Sequence, residues 1–300
     1  MSRDSLKLHF LVFLWGLTGP IGHLISLPSP ELVFYRTLIA FVALLVIIQW
    51  RKVPFAMGSR DRLAILGVGM IMGLHWLLFF LSIKISNVSV CMAGFATIAM
   101  WISILEPLMV KGRKFERFEL IISLVAVFAL WLIFRFQFDQ WKGLVVSLAC
   151  ALFGAVFSII NGRLVLRHHY ITISCLEMAG GCLVCFLGAL AFEKFSPDGV
   201  WLAVPTRISD LGWLLVLALA CTVYAFTEYI ELLNRMSVFT ISLTNNLEPV
   251  YGIVIGALAF HEHETMTPGF YAGTVLILLS VFAYPFLIRA SRSWRGRRGR

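Results

Sequence analysis

Residues 63–82 read LAILGVGMIMGLHWLLFFLS, twenty consecutive positions without a charged side chain. A helix of about 20 apolar residues crosses the ~30 Å hydrocarbon layer of a membrane, so this stretch predicts a membrane-spanning helix. Comparable apolar blocks begin near residues 8, 32, 88, 118, 143, 171, 211, 237 and 268. Together they predict an all-α integral membrane protein with about ten transmembrane helices, and they leave almost no chain for a soluble domain.

The composition of the whole chain supports a membrane protein. Hydrophobic residues make up 60% of the 300 positions and charged residues only 14%, whereas soluble domains are about 45–50% apolar. A soluble fold of this length cannot hide so much apolar surface in one core. The first block follows Arg3 and Lys7 and so resembles a signal sequence. We expect it to be retained, because nine more blocks follow and no small-residue cleavage site appears.

The basic residues indicate an orientation rather than a nucleic-acid partner, despite the net charge of +9. With a cytoplasmic N-terminus, 19 of the 25 Lys and Arg residues fall on the inner side, five fall on the outer side, and Arg36 lies within a block. The positive-inside rule predicts this imbalance. We therefore expect a multi-pass protein of the bacterial inner membrane with both termini cytoplasmic, in contact with the lipid bilayer and not with nucleic acid.

The chain divides into two halves at a short polar turn, Phe138-Asp139-Gln140. Residues 1–139 and 140–290 then each hold five predicted spans, and residues 291–300 form a basic cytoplasmic tail. Because five is odd, equivalent spans of the two halves run in opposite directions. This pattern predicts two inverted five-helix repeats, an arrangement common among secondary transporters.

Two short motifs occur once in each half, but they do not fix how the halves align. Leu105-Glu106-Pro107 matches Leu247-Glu248-Pro249, and Ser89-Val90 matches Ser237-Val238. Matching the Ser-Val pairs places Glu248 opposite Met100 instead of Glu106. The internal alignment of the repeats is therefore left open.

Further motifs give the chain a family resemblance. They are Trp15-Gly16, Pro30 with Tyr35-Arg36, His75-Trp76, the stretch from Asn246 to Gly252, and the acidic turn His261-Glu262-His263-Glu264. In this order and position they resemble the EamA-type transporters of the drug/metabolite transporter superfamily. The resemblance implies a five-plus-five architecture, export or exchange of amino acids, related metabolites or drugs, and a central cavity lined by the first, third and fourth spans of each half. It implies no cofactor.

Ionisable side chains are costly in a bilayer, at roughly 2.5–3.5 kcal/mol or more, so embedded acids are functional candidates. Glu248 lies near the middle of the block that begins near residue 237, and Asn245 shares its helix face. Pro249 lacks an N–H and so frees the carbonyl of Asn245. Carboxylate, amide and carbonyl groups can coordinate an ammonium group or relay a proton. A purely structural carboxylate is the alternative.

Other polar and aromatic side chains complete the predicted cavity. Tyr224 and Glu228 follow a helical stripe toward the inner edge, and His75 with its aromatic neighbours can hold a cation or a ring. The alternative for His75 is a hydrogen-bonded packing role. The predicted substrate-binding residues are Trp15, His75, Trp76, Tyr224, Glu228, Asn245, Asn246, Glu248 and Tyr251.

Two further charged residues are predicted to control access to the cavity. Arg36 lies near the outer end of its block, where it can snorkel to the interface or pair with an acid that holds the outer side shut. Glu106 lies near the inner edge, beside Lys111, Arg113 and Lys114, and predicts an ion pair on the surface or in a gate.

No cofactor, metal or catalytic residue is predicted. The turn 261–264 has metal-like chemistry, but it lies between two spans where the family carries acids without metal. The GxxxxGK[ST] motif is absent, which argues against an ATP-driven pump. We therefore expect a secondary transporter that exports or exchanges a small metabolite, with protons as a possible coupling ion. The alternatives are a membrane-embedded enzyme and a sensor or scaffold without flux. Substrate identity, direction and oligomeric state are left open.

Overall fold

The computed structural model describes residues 2–134, 140–193, 203–248, 250–251 and 268–298. These residues form helices joined by turns, with no strand among them. Two predicted features, Pro249 and the acidic turn 261–264, lie outside the described residues, as does most of the polar turn 138–140.

The helices follow one another along the whole chain. In order, they are α1 Arg3–Gly16, α2 Thr18–Leu24, α3 Ser29–Arg51, α4 Ser59–Ile85, α5 Val88–Phe95, α6 Ile98–Met109, α7 Arg117–Phe134, α8 Trp141–Leu164, α9 Tyr170–Glu193, α10 Ile208–Ala218, a π-helix Leu219–Tyr224, α11 Ala225–Leu232, α12 Val238–Asn245 and α13 Pro268–Arg298.

Within the described residues, six helical segments are long and apolar enough to cross a membrane. They are Ser29–Arg51, Ser59–Ile85, Val90–Met109, Trp141–Leu164, Tyr170–Leu190 and Ile208–Leu232. The all-helical membrane fold is therefore confirmed, whereas the count of about ten spans stays a prediction.

Several apolar blocks that the sequence predicted as single spans are interrupted near their middle. α1 and α2 meet at Leu17, because Pro20 lacks an N–H and cannot bond the carbonyl of Gly16. α5 and α6 meet where the Thr97 hydroxyl donates to the carbonyl of Gly94 at 2.7 Å. A hydroxyl bonded to its own backbone competes with the helical pattern.

Backbone contact between α4 and α9 fixes the centre of the bundle. A Cβ added at Gly69 would meet the backbone of Glu177, and one added at Gly180 would overlap the carbonyl oxygen of Leu66. Small residues permit this approach, which is a common way to pack helices in membranes. α4 also packs along α8, and α3 packs along α9.

Polar contacts join α1 and the turn after α2 to residues 210–231 at three levels. The pairs are Lys7 with Glu231 (2.8 Å), the Trp15 indole N–H with the Cys221 carbonyl (3.1 Å), and the Ser26 hydroxyl with Asp210 (2.5 Å). Because the first and last pairs lie at opposite ends of the bundle, we refer below to the Lys7 end and the Asp210 end. The middle pair lies beside the cavity described next.

Candidate functional site

A cavity lies between the two halves of the chain. Six of the predicted site residues line it: Trp15, Arg36, His75, Trp76, Asn245 and Glu248. They come from α1, α3, α4 and α12, except Glu248, which lies three residues after the end of α12. Five others lie outside its lining: Glu106, Tyr224, Glu228, Asn246 and Tyr251.

Arg36 is buried in the wall of the cavity, with 2% of its surface exposed. Its Nε donates to the Thr222 hydroxyl at 2.6 Å, and its Nη2 donates to the Cys221 carbonyl at 3.4 Å. The guanidinium carbon lies 4.1 Å from the centre of the Trp76 ring, in cation–π geometry. Arg36 therefore neither reaches the membrane surface nor closes a direct ion pair with an acid among the described residues.

The π-helix supplies the partners of Arg36. A π-helix closes its hydrogen bonds five residues apart and adds one residue to the turn, which makes it a frequent feature of functional sites. The Thr222 hydroxyl donates to the carbonyl of Leu217 at 2.8 Å and so presents its oxygen to Arg36. The Cys221 carbonyl accepts from both Arg36 and Trp15. This segment thus ties one half of the cavity wall to the other.

Tyr224 and Glu228 share a helix face, as the predicted stripe requires, but this face packs against α1 and not around the cavity. Tyr224 is 43% exposed and packs edge-on against Phe10. The cavity-lining residues of this region are instead Phe226 and Tyr229, on α11.

Glu248 and Asn245 form the acidic side of the cavity. Glu248 is 4% exposed and interacts electrostatically with Arg36. The Asn245 Oδ1 atom is buried without a hydrogen-bond partner among the described residues. A carboxylate and an unpaired amide oxygen are both acceptors. This side of the cavity therefore offers acceptors to a donor-rich group such as an ammonium.

His75 contributes an aromatic ring with a defined tautomer. Its Nδ1 lies 2.8 Å from the carbonyl of Cys150. Since a carbonyl can only accept, Nδ1 carries the proton and Nε2 of the neutral ring is an acceptor. The ring packs between Phe95 and Phe157, whose ring centres lie 5.9 Å and 5.3 Å from its own.

Much of the remaining lining is aromatic or hydroxylic, and the sequence did not single it out. It comprises Thr18, Phe79, Phe95, Phe157, Ser158, Phe226, Tyr229 and Ser242, with Ile98 and Gly154. The Tyr229 hydroxyl lies 2.9 Å from that of Ser158, and the Tyr229 ring stands edge-on to Trp15 at 5.6 Å. These groups can contact the apolar part of a bound solute.

Glu228 lies at the Lys7 end, outside the cavity. It pairs with Lys7, which also binds Glu231. Arg235 extends this cluster by contacting Glu231 and Asp4, each at 3.2 Å. The cluster joins α1 to α11 and the turn that follows it.

Glu106, Asn246 and Tyr251 have other surroundings. Glu106 accepts a hydrogen bond from Arg113 at 3.1 Å, as the basic residues after it predicted, and its gating role stays a prediction. The Asn246 side chain is buried, with its Nδ2 unpaired among the described residues. The Tyr251 hydroxyl lies 3.4 Å from His9 Nδ1.

Arg36→Lys is expected to lower the melting temperature of the purified protein. Lysine lacks the planar guanidinium, which donates to two acceptors and stacks on the Trp76 ring at the same time. The loss of hydrogen bonds to a charged group corresponds to about 2 kcal/mol of unfolding free energy. Thermal unfolding in one detergent measures this, with Arg235→Lys at the partly exposed cluster as the control. Equal melting temperatures for the two variants would contradict the role assigned to Arg36.

A helical membrane bundle that buries acceptors, a guanidinium and aromatic rings around a central cavity is typical of membrane transport proteins. The model of the EamA-like transporter family matches residues 6–135 and again residues 141–284. The chain therefore belongs to the EamA-like transporter family and carries two copies of its repeat, which confirms the resemblance seen in the sequence.

The solved structures with a similar fold include one crystal structure that aligns over nearly the whole chain. It superposes with a TM-score of 0.74, covering 96% of this chain and 99% of that one, at 16% sequence identity. At this identity the likeness concerns the fold alone. The comparison with curated protein sequences gave no significant match.

Proposed function

We propose that this protein is a secondary transporter that exports or exchanges an amino acid or a related zwitterionic metabolite across the bacterial inner membrane. In this proposal both termini are cytoplasmic, and ten helices form two inverted repeats. The observation that carries it is the placement of Arg36 and Glu248 on the lining of one buried cavity. A zwitterion presents one group to each of these opposite charges.

The chemistry of the cavity suits the two ends of such a solute differently. Glu248 and the unpaired Oδ1 of Asn245 are acceptors for an ammonium group. Arg36 uses two of its nitrogens for Thr222 and Cys221, and guanidinium has five N–H donors. The remaining donors can bind a carboxylate.

The aromatic lining supplies the third contact. Trp76, Phe79, Phe95 and Phe226 surround the polar groups. Their faces favour an apolar or aromatic side chain on the solute and can hold a cation. Small hydrophobic or aromatic amino acids and their derivatives therefore fit the proposal better than strongly polar sugars.

Proton coupling is part of the proposal. A protonated Glu248 no longer attracts an ammonium group, so proton and solute compete for the same carboxylate. Competition of this kind makes the two ligands exchange across the membrane, with the solute leaving as a proton enters. The sequence contains no GxxxxGK[ST] motif that would indicate ATP as the energy source.

The test is efflux from proteoliposomes loaded with a labelled panel of amino acids, amines, nucleosides and sugars. We expect one or a few amino acids or related zwitterions to leave faster than from protein-free liposomes. A pH gradient that drives protons into the liposomes should accelerate this efflux further. Efflux of sugars or nucleosides alone would refute the zwitterion assignment. Failure of every compound to move above the protein-free rate would contradict the proposal for this solute class.

A further inference from the structure

A second embedded acid, Glu177, lies on α9 away from the lining of the central cavity. It is fully buried, with 0% of its surface exposed. It lies seven residues after Tyr170, which corresponds to about 10 Å along the helix. α9 begins at the Lys7 end, since His169, which directly precedes it, interacts electrostatically with Glu231 of the Lys7 cluster. The carboxyl is therefore buried between the cavity and that end of the bundle.

Of the helices packed around Glu177, α4, α8 and α11 each present a different group, whereas α3 presents no titratable side chain that acts on the carboxyl. α4 presents only backbone at Gly69, α8 presents the Asn161 amide, and α11 presents the ring of Tyr229, the one titratable side chain seen to act on it among the described residues. No Lys, Arg, Asp or second Glu of the described part of the chain acts on the carboxyl. No opposite charge is therefore available there to balance an ionised Glu177.

Four polar atoms at this position lack hydrogen bonds. They are Oε1 and Oε2 of Glu177 and Nδ2 and Oδ1 of Asn161. An ionised carboxylate only accepts, so it can pair with the amide N–H but leaves the amide oxygen facing like charge. A protonated carboxyl both donates and accepts, so it can form two hydrogen bonds with the amide and satisfy all four atoms. The two side chains lie close enough to interact.

A metal cation fits this position poorly. Hard cations are held by many oxygens, six to eight for Ca²⁺ and six for Mg²⁺. The described residues provide three unpaired oxygens here, and no group of metal-binding side chains occurs among them. A proton needs one oxygen and one acceptor, which the pair supplies.

The pair is also connected to the cavity. Asn161 lies three residues after Ser158 on α8, so the two side chains share a helix face. Ser158 is hydrogen-bonded to Tyr229 at 2.9 Å, and both line the cavity. Hydroxyl, amide and carboxyl groups thus continue from the cavity toward the Lys7 end.

We propose that Glu177 and Asn161 form a proton-binding site, separate from the cavity and joined to it through Ser158 and Tyr229. Glu177 binds the proton, and Asn161 stabilises the protonated form. The part of this site in transport rests on the proposed function, in which the site would pass protons between the cavity and the Lys7 end. Proton binding itself can be measured without any transported solute.

Infrared difference spectroscopy of the full-length protein in lipid tests the site directly. We expect a carboxylic-acid carbonyl band that is present in the wild type, persists in Glu248→Gln, and is lost in Glu177→Gln. Glu177→Gln should stay folded, because two amides can also form two hydrogen bonds with each other. Asn161→Leu is expected to shift the band, since the acid loses its partner. Variants that elute from size-exclusion chromatography and unfold on heating like the wild type are folded.

The connection to the cavity has its own measurement. After transfer to D₂O, the same band shifts as the acid proton exchanges, and Tyr229→Phe is expected to slow this shift severalfold. Loss of the band in Glu248→Gln and not in Glu177→Gln would overturn the assignment. So would disappearance of the band when sodium replaces choline at constant pH, since sodium would then be the ligand. An exchange rate unchanged in Tyr229→Phe would overturn the connection.

Discussion

Glu248→Gln is expected to reduce efflux of the solute identified from the panel to about one tenth of the wild-type rate or less. A tenfold change corresponds to about 1.4 kcal/mol, which is modest for the loss of a buried charge that faces a cation. Glutamine keeps the size and one acceptor oxygen of the side chain, but it neither attracts an ammonium group electrostatically nor binds a proton. The remaining efflux should therefore no longer respond to the pH gradient.

Glu231→Gln is the matched control for this experiment. It removes the same charge from a neighbouring part of the second repeat, but at the partly exposed cluster with Lys7 and Arg235. We expect wild-type pH dependence from this variant, because exposed ion pairs contribute only about 0–1 kcal/mol. If Glu248→Gln retained wild-type efflux with its full response to the pH gradient, the role of Glu248 in binding and coupling would have to be abandoned.

Gly180→Ala is expected to destabilise the protein by about 3 kcal/mol, because overpacking a tight contact costs 1–3 kcal/mol and more when backbone must move. The new methyl group would overlap the carbonyl oxygen of Leu66, on α4, and a backbone atom cannot rotate away as a side chain can. α4 and α9 would have to separate. Thermal unfolding in detergent and the yield of monodisperse protein measure this effect.

Gly188→Ala, on the same helix, provides the comparison. Its added methyl would lie 3.5 Å from the Leu77 side chain, which is an ordinary packing distance. Alanine is also the better helix former by about 1 kcal/mol, so this variant should be as stable as the wild type or more stable. Equal unfolding temperatures for the two variants would show that α4 and α9 are not in backbone contact at Gly180.

The sequence predicted the fold class and part of the cavity for a clear physical reason. Charged and polar side chains are rare in apolar blocks because they are costly there, so Arg36, His75 and Glu248 stand out. These three residues do line one cavity in the structure. The long apolar blocks likewise indicated membrane helices before any geometry was known.

Other parts of the site carry no comparable signal. Phe79, Phe157 and Phe226 line the cavity, yet in sequence they do not differ from phenylalanines that face lipid. The helix face of Tyr224 and Glu228 packs against α1 and not around the cavity, and helical spacing alone does not indicate which neighbour a face meets. Such features depend on tertiary packing.

Glu177 is not among the predicted site residues, although the sequence marks it. It is an acid within the apolar block that begins near residue 171, so the rule that singled out Glu248 applies to it equally. The repeated Leu-Glu-Pro motif indicated Glu106 instead. In the structure Glu106 pairs with Arg113 while Glu248 lines the cavity, so the same three-residue motif has different surroundings in the two repeats.

The unequal charge of the two repeats bears on how the chain arose. The first repeat supplies Arg36 and His75 to the cavity, and the second supplies Glu248 and Asn245. An ancestor made of two identical copies of either repeat would have placed like groups on both sides. Only the two repeats together bring a guanidinium and a carboxylate to one cavity. Recognition of both ends of a zwitterion, as proposed above, would therefore need both repeats.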